Sequence, residues 1–415
     1  MLIAPVGGCF IVLSGRRYRL ELSAEQAVRC EEFGHVCRAV WNTGLEQRRA
    51  YRRRGGWMNY APQCKELAEA KREHEWLKAA PSHVLQQTLK DLDRACRDHG
   101  TFTVRWRSKV RWSPSFRFPD ARQIQVERLG RKWGRAKLPK LGWVRFRFSR
   151  PLGGEIRCAT VSRKAGRWFV SFLVDDHAAP PDRHAMSDTA VGVDRGVETA
   201  AVTSDGEVFD RPFLTIGESA RYRRLEQRLA RQEKGSANRR KTITAMGRIM
   251  SRVSDRRGDF CAKVAAHLAS KNALVALEDL RTRNMSASAV GTVEKPGRQV
   301  AQKRGLNRAI LDKGWHRLEL ALANAARYTG TRVVKVSPAY TSQRCHACGF
   351  VTEGNRESQA VFVCKNPGCG NTDHADLNAA KNIKAAGQAV SACGDLGTGR
   401  SVKQEPGSRA TGQAT

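Results

Sequence analysis

Two cysteine pairs, Cys345/Cys348 and Cys364/Cys369, constrain this chain more than any other feature. Fifteen residues separate the pairs, and Gly349 and Gly370 directly follow them. A C-x2-C knuckle turns sharply enough to aim two thiolates at one cation, and a second knuckle completes a tetrahedral sulfur site. The second pair is C-x4-C, a wider turn that still lies within zinc-ribbon spacing. Just downstream, Asp376-Leu-Asn-Ala-Ala-Lys-Asn-Ile places an acid at the mouth of a helix. A structural zinc ion is therefore expected beside a placed carboxylate. His346 and His374 lie in the same stretch, but four thiolates complete the coordination without them.

The charge balance says what that carboxylate works among. The 415 residues carry 74 Lys and Arg against 40 Asp and Glu, a formal charge of +34. Releasing counterions from phosphates drives binding of so basic a chain to a polyanion. The other eight cysteines are scattered with no pairing pattern, which suits a reducing compartment and small buried side chains. The apolar N-terminal run lacks a preceding basic region and is too short to span a bilayer. The expectation is a soluble, intracellular (cytoplasmic) protein with no membrane partner.

In chain order, residues 10–22 read as extended, and Ser23-Ala-Glu-Gln26 reads as a capping box opening a helix. That helix carries Phe33, Val36, Cys37, Val40 and Trp41 at core spacing, followed by a basic cluster from Arg48 to Arg54. A second helix spans Ser82 to Arg97, so residues 26–101 form a helical module. From residue 102 the pattern becomes period two: TFTVRWRSKVRWSPSFRFP and LPKLGWVRFRFSR alternate apolar and cationic residues. They predict a β-domain whose outer face carries Arg105, Arg107, Arg111, Arg117, Arg145 and Arg147. Trp106, Trp112, Phe116 and Trp143 interleave with these charges and offer stacking surfaces for bases. Residues 218–257 read as a basic helical hairpin, 281–304 as a mobile loop, 305–330 as one amphipathic helix, and the last thirty residues as a disordered tail.

Three acids stand at the ends of regular elements: Asp194 in a buried strand, Glu278 at the end of another, and Asp376 before a helix. Together they suit a pair of hard divalent cations in a phosphodiester-cleaving cleft. Their order matches a ribonuclease-H-like fold with a mixed α/β sheet.

At this point the chain resembles a known family. GVDRGVETAAVTSDG, VALEDL, GLNRAILDKGW, SPAYTSQRCHACG and ADLNAAKNI closely resemble the TnpB proteins of bacterial and archaeal insertion sequences, and the related compact type V CRISPR effectors. The resemblance runs from about Arg16 to Ile383. It implies a multidomain α/β protein: a split, OB-like wedge β-barrel (1–25 and 102–180) and a helical recognition domain (26–101). A RuvC-like nuclease (187–337 and 373–385) would follow, interrupted by the zinc ribbon (338–372), with a tail (386–415). It also implies RNA-guided cleavage of double-stranded DNA beside a short motif, by a monomer carrying a guide RNA from the element's end. Asp194, Glu278 and Asp376 would hold two Mg²⁺, and Cys345, Cys348, Cys364 and Cys369 would hold Zn²⁺. The chain departs from the family in its wider second cysteine pair and in His374-Ala375-Asp376, where Asp-Arg-Asp is common. A nuclease-independent, RNA-guided regulator is the alternative that predicts loss of an acid, and all three acids are present. A transposase or transposition accessory protein is the other alternative, but no end-reading helix-turn-helix is evident.

Overall fold

The computed structural model describes residues 5–6, 9–10, 13–109, 112–179, 181–292 and 294–393. Arg111 and the tail from 394 onward lie outside the described residues. The chain divides into two units, Met1–Ala179 with Ile216–Arg252, and Pro180–Thr215 with Val253–Thr415.

In the first unit, β1 (Pro5–Val6) and β2 (Cys9–Phe10) form a short antiparallel pair ahead of β3 (Leu13–Glu21). The capping box then opens α1 (Ala24–Arg53): the Ser23 hydroxyl accepts from the Gln26 amide, and the Gln26 side chain accepts from the Ser23 amide. Phe33, Val36, Cys37 and Val40 bury the expected stripe against α3 (Ser82–His99), with α2 (Tyr60–Glu73) between them in sequence. Arg48, the first residue of the basic cluster, is buried. It is 1% exposed, 2.7 Å from Asp93, and its Nε donates to Gln63 at 2.9 Å. A buried guanidinium persists only when paired in this way.

The β-rich part is a seven-stranded antiparallel sheet in the order β4-β8-β9-β3-β7-β6-β5. Its later strands are β4 (Ser115–Phe118), β5 (Gln125–Arg128), β6 (Trp133–Leu138), β7 (Gly142–Arg147), β8 (Glu155–Lys164) and β9 (Arg167–Asp175). The N-terminal strand β3 sits between β9 and β7, so the sheet is assembled across the helical module. Two expectations change here. Among the described residues of the 102–119 run only Ser115–Phe118 is strand, because the backbone at Arg105 and Arg107 bonds to Trp41 and Asn42 of α1 instead of to a neighbouring strand. Phe116 is 3% exposed and belongs to the core rather than to a stacking face. The basic hairpin is present as α4 (Ile216–Ala230) and α5 (Ala237–Lys271), the second helix running 14 residues past the expected end at 257.

The second unit is a mixed five-stranded sheet, β12-β11-β10-β13-β14. It comprises β10 (Ala190–Asp194), β11 (Ala201–Thr203), β12 (Val208–Phe209), β13 (Leu274–Glu278) and β14 (Arg332–Val336). β10 pairs antiparallel with β11 and parallel with β13, which is parallel to β14. The C-terminal half of α5 and α8 (Trp315–Thr329) supply Val264, Leu268, Leu318 and Leu322 to one face. The opposite face receives α9 (Ala375–Cys393), which brings Ile383 against Ala276 and Val334.

Three sequence expectations are corrected here. The loop 281–304 contains α6 (Thr282–Met285) and the first turn of α7 (Val300–Lys313). The single helix expected over 305–330 is broken at Gly314, whose φ of 75° is left-handed and suits glycine. Residues 386–393, expected in the tail, continue α9, because Gly387 packs on Ala276.

α9 lies so close to β10 that a Cβ at Gly192 would stand 2.1 Å from the Ala380 carbonyl oxygen and 2.4 Å from the Lys384 nitrogen. Both obstacles are helix backbone, so no rotamer change relieves them. Gly192→Ala is expected to cost on the order of 3 kcal/mol or to displace α9. Urea unfolding measures the cost, and an unchanged midpoint would show that the helix moves freely.

Candidate active site and metal centre

Alternation along a strand places residues i and i+2 on one face. Gly192 and Ala276 face α9, so Asp194 and Glu278, two residues further on, face the same side at the carboxyl ends of adjacent parallel strands. Asp376 lies one turn before Ala380, the residue that touches Gly192, on the same stripe of α9. The fold thus brings together all three expected acids. Glu278 is 8% and Asp376 6% exposed.

The electrostatics follow from that convergence. Burial first, and then the charges of Glu278 and Asp376, push the Asp194 carboxyl up to about 7. The Arg195 amide and the Arg356 guanidinium oppose this shift. Arg356 also stands 3.3 Å from Asp376 Oδ1, and Thr341 Oγ1 donates to Glu278 Oε1 at 2.6 Å. Arg195 is 4% exposed and donates to the Glu278 carbonyl. A crowded set of carboxylates that only partly neutralises itself has the donor chemistry of a hard divalent-cation site.

The four cysteines also converge. Their sulfurs lie within 4.8 Å of one another, with Cys345–Cys369 at 3.8 Å and Cys348–Cys364 at 3.6 Å. Zn–S bonds of about 2.3 Å in a tetrahedron require sulfurs about 3.8 Å apart, whereas a disulfide requires about 2 Å. The wider C-x4-C turn is accommodated because the Cys369 amide donates to the Asn366 carbonyl at 3.0 Å and Gly370 takes a φ of 61°. Asn366 and Asn371 point amide donors at Cys348 and Cys345 from 3.7 and 3.6 Å. The Phe350 amide lowers the Cys348 thiol to about 6 while burial pushes Cys364 up to about 12, so the fit to a cation rests on the sulfur geometry. The donors present fit zinc.

The expected nucleic-acid residues separate. Arg145 and Arg147 are exposed on β7, 4.8 and 5.0 Å from the Trp133 ring, and Arg135 lies 4.3 Å from Trp143 on the same hairpin. Arg105 is exposed in an irregular segment, and Arg117 is half-buried 3.8 Å from Asp91. Arg107 does not join the outer face. Its guanidinium sits 3.8 Å from the Trp41 ring and 5.1 Å from the partly buried Trp112, and burial lowers its pKa to about 10.

Sequence reasoning missed Arg356 and Thr341, which touch Asp376 and Glu278 from 20 and 63 residues away, and Arg195, which follows Asp194 and reaches the Glu278 carbonyl 83 residues on. Asn378 and Asn382 were detectable: they stand four residues apart among alanines, two to six residues after Asp376, and both are buried.

Several parts of the chain, and the chain as a whole, are similar to known proteins. Residues 159–289 match a "Probable transposase" family model for OrfB of IS605, and residues 315–383 match the TNB domain of Cas12f1-like proteins. Residues 12–56 match a "Helix-turn-helix domain" model, and within them Leu13–Glu21 is a strand and Ala24–Arg53 one 30-residue helix. The Escherichia coli K12 protein named "Putative RNA-guided DNA endonuclease InsQ" is 38% identical over 95% of this chain and 97% of its own length. A Streptomyces pristinaespiralis protein named "Putative RNA-guided DNA endonuclease" is 34% identical over 94% and 95%. The cryo-EM structure of a Cas12f1–sgRNA–target DNA complex superposes with a TM-score of 0.51 at 13% identity, covering 90% of this chain and 99% of that one. With both relatives matched over nearly their whole length, the chain belongs to the TnpB family, the OrfB proteins of IS605-type insertion sequences.

Proposed function

We propose that this protein is an RNA-guided DNA endonuclease that hydrolyses phosphodiester bonds at Asp194, Glu278 and Asp376. The observation that carries the reading is the convergence of these three acids on one face of a mixed sheet, in a chain of formal charge +34. The sheet order and the acids at its carboxyl end support a RuvC-type, ribonuclease-H-like nuclease. The sheet built around β3 supports an OB-like wedge domain, α1 to α3 a recognition module, and the four-cysteine segment a zinc-ribbon insertion.

Asp194, Glu278 and Asp376 would hold two Mg²⁺, which when bound activate water and stabilise the leaving oxygen. The protein's own contribution is positional. Two parallel strands and one helix hold the carboxylates rigidly, Arg356 limits their repulsion, and burial restricts solvent access. Base pairing with the guide would read the target sequence, and the protein would read the flanking motif. Exposed Arg145 and Arg147 stacked on Trp133 suit contact with a phosphate backbone. Arg105, Arg117 and Trp112 are proposed as weaker contacts.

The test is to purify the protein from cells carrying its native flanking DNA and to sequence the RNA that comes with it. One discrete RNA extending past the element boundary is expected, and the complex should cut matching DNA only with Mg²⁺. Heterogeneous cellular RNA and no guided cutting would overturn the reading.

A further inference from the structure

The segment between β14 and the first cysteine knuckle does more than connect them. β14 lies beside β13 with Val336 paired to Glu278, so the chain leaves the sheet at the acid itself. It then reverses through Ser337–Tyr340, where Tyr340 takes a φ of 62°. A non-glycine residue in that region costs energy that surrounding contacts must offset. The reversal returns Thr341 to Glu278, both 8% exposed. The Thr341 hydroxyl, 2.6 Å from Glu278 Oε1 and 3.1 Å from the Pro338 carbonyl, has one proton, and the nearer acceptor takes it. Glu278 Oε2 has no hydrogen-bond partner among the described residues, so one carboxylate oxygen is pinned and the other is left for a cation.

Thr341 is itself held by the helix that carries Asp376. Asn382 Nδ2 donates to the Thr341 carbonyl at 3.0 Å and to the Arg344 carbonyl at 2.7 Å. Asn378 Nδ2 donates to Arg344 at 2.8 Å, and its Oδ1 accepts from the His346 amide at 3.0 Å. A continuous set of bonds therefore joins Glu278, Thr341, Asn382, α9 and Asp376. It uses residues that enter the cysteine cluster.

We propose that Thr341 is a positioning residue that fixes the Glu278 carboxylate relative to Asp376, with Asn382 anchoring it to α9. This rests on the reading that these acids hold divalent cations. Losing an outer partner of a metal ligand typically weakens affinity or activity by about 10- to 100-fold. Thr341→Val keeps the shape and removes the hydroxyl, and Thr341→Ser keeps the hydroxyl.

The experiment uses the full chain with its co-purified RNA and measures three quantities: zinc content, Mn²⁺ affinity by calorimetry, and the Mg²⁺ dependence of cleavage. Thr341→Val is expected to retain zinc, to weaken Mn²⁺ binding by roughly tenfold and to raise the Mg²⁺ requirement in proportion. Thr341→Ser should stay within about threefold of the parent on both. In a Glu278→Gln background the Val substitution should add nothing to the loss of Mn²⁺ affinity, since the group it orients is gone. Unchanged Mn²⁺ affinity in Thr341→Val, or additive losses in the double variant, overturns the proposal. If Thr341→Val loses zinc, Thr341→Ser decides alone, and a shift beyond threefold rejects the role. Failure of the underlying reading has a different signature: Glu278→Gln and Asp376→Asn would then bind Mn²⁺ and cut like the parent.

Discussion

Asp194→Asn is expected to abolish DNA cleavage while raising the stability of the magnesium-free protein at pH 8. In the folded protein the Asp194 carboxyl keeps its proton up to about pH 7, against 3.8 for an unperturbed Asp. Between those values the folded state binds the extra proton, so stability falls as pH rises from about 4 to about 7. Above 7 the loss is complete, because a charge now sits in a buried site beside Glu278 and Asp376. Asparagine cannot ionise. Its advantage should be near zero at pH 4 and on the order of 2 kcal/mol at pH 8, after allowing for partial solvent access. Cleavage should fall by at least about a thousandfold, since a metal ligand contributes several kcal/mol to transition-state stabilisation. Nucleic-acid binding should be retained. Urea unfolding at the two pH values, with cleavage assays alongside, checks both effects. An Asn variant that cuts at the parental rate is incompatible with Asp194 as a ligand, and a pH-independent stability difference is incompatible with a proton held there.

Cys364→Ser should release zinc and stop cleavage, though every acid remains in place. A structural zinc site contributes on the order of 10 kcal/mol to the folding of its module, and Cys364, 6% exposed, sits in the small core with Phe362 and Cys345. The second effect follows from the contacts that cross into the acid site. Arg356 reaches Asp376, Thr341 reaches Glu278, and His346 and Arg344 are bonded to Asn378 of α9. Collapse of the knuckles removes these supports together. Metal analysis should find one zinc per chain in the parent and a large loss in the variant. Full zinc with lost cleavage would assign Cys364 a role other than ligation, and lost zinc with full cleavage would show that the ribbon does not brace the acids.

Features that depend on near neighbours in the chain were legible from the residues alone. The capping box at Ser23 and Gln26, the buried stripe of α1, the clustering of the four cysteines, and the strand-end positions of Asp194 and Glu278 all express short-range rules: hydrogen bonds three residues apart, periods of two and 3.6, and knuckle spacing. The same rules misread 102–109, where alternation suggested a strand but the backbone at Arg105 and Arg107 bonds to Trp41 and Asn42, some 65 residues earlier. They also placed Arg107 on the outer face, and they gave no sign that Arg48 of the basic cluster is buried. Charge predicts exposure only until a partner such as Asp93 or the Trp41 ring compensates for burial, and a linear reading does not show that partner.

The tertiary structure alone decided how the acid site is supported. Thr341 meets Glu278 across 63 residues, Arg195 reaches it across 83, and Arg356 meets Asp376 across 20. None of these pairs shares an element or a period. The amino-acid sequence determined which acidic and thiol groups this protein offers, because those residue types and spacings are local. Which groups orient them was decided by packing α9 onto Gly192 and Ala276, an approach set by long-range shape complementarity rather than by any repeat in the chain.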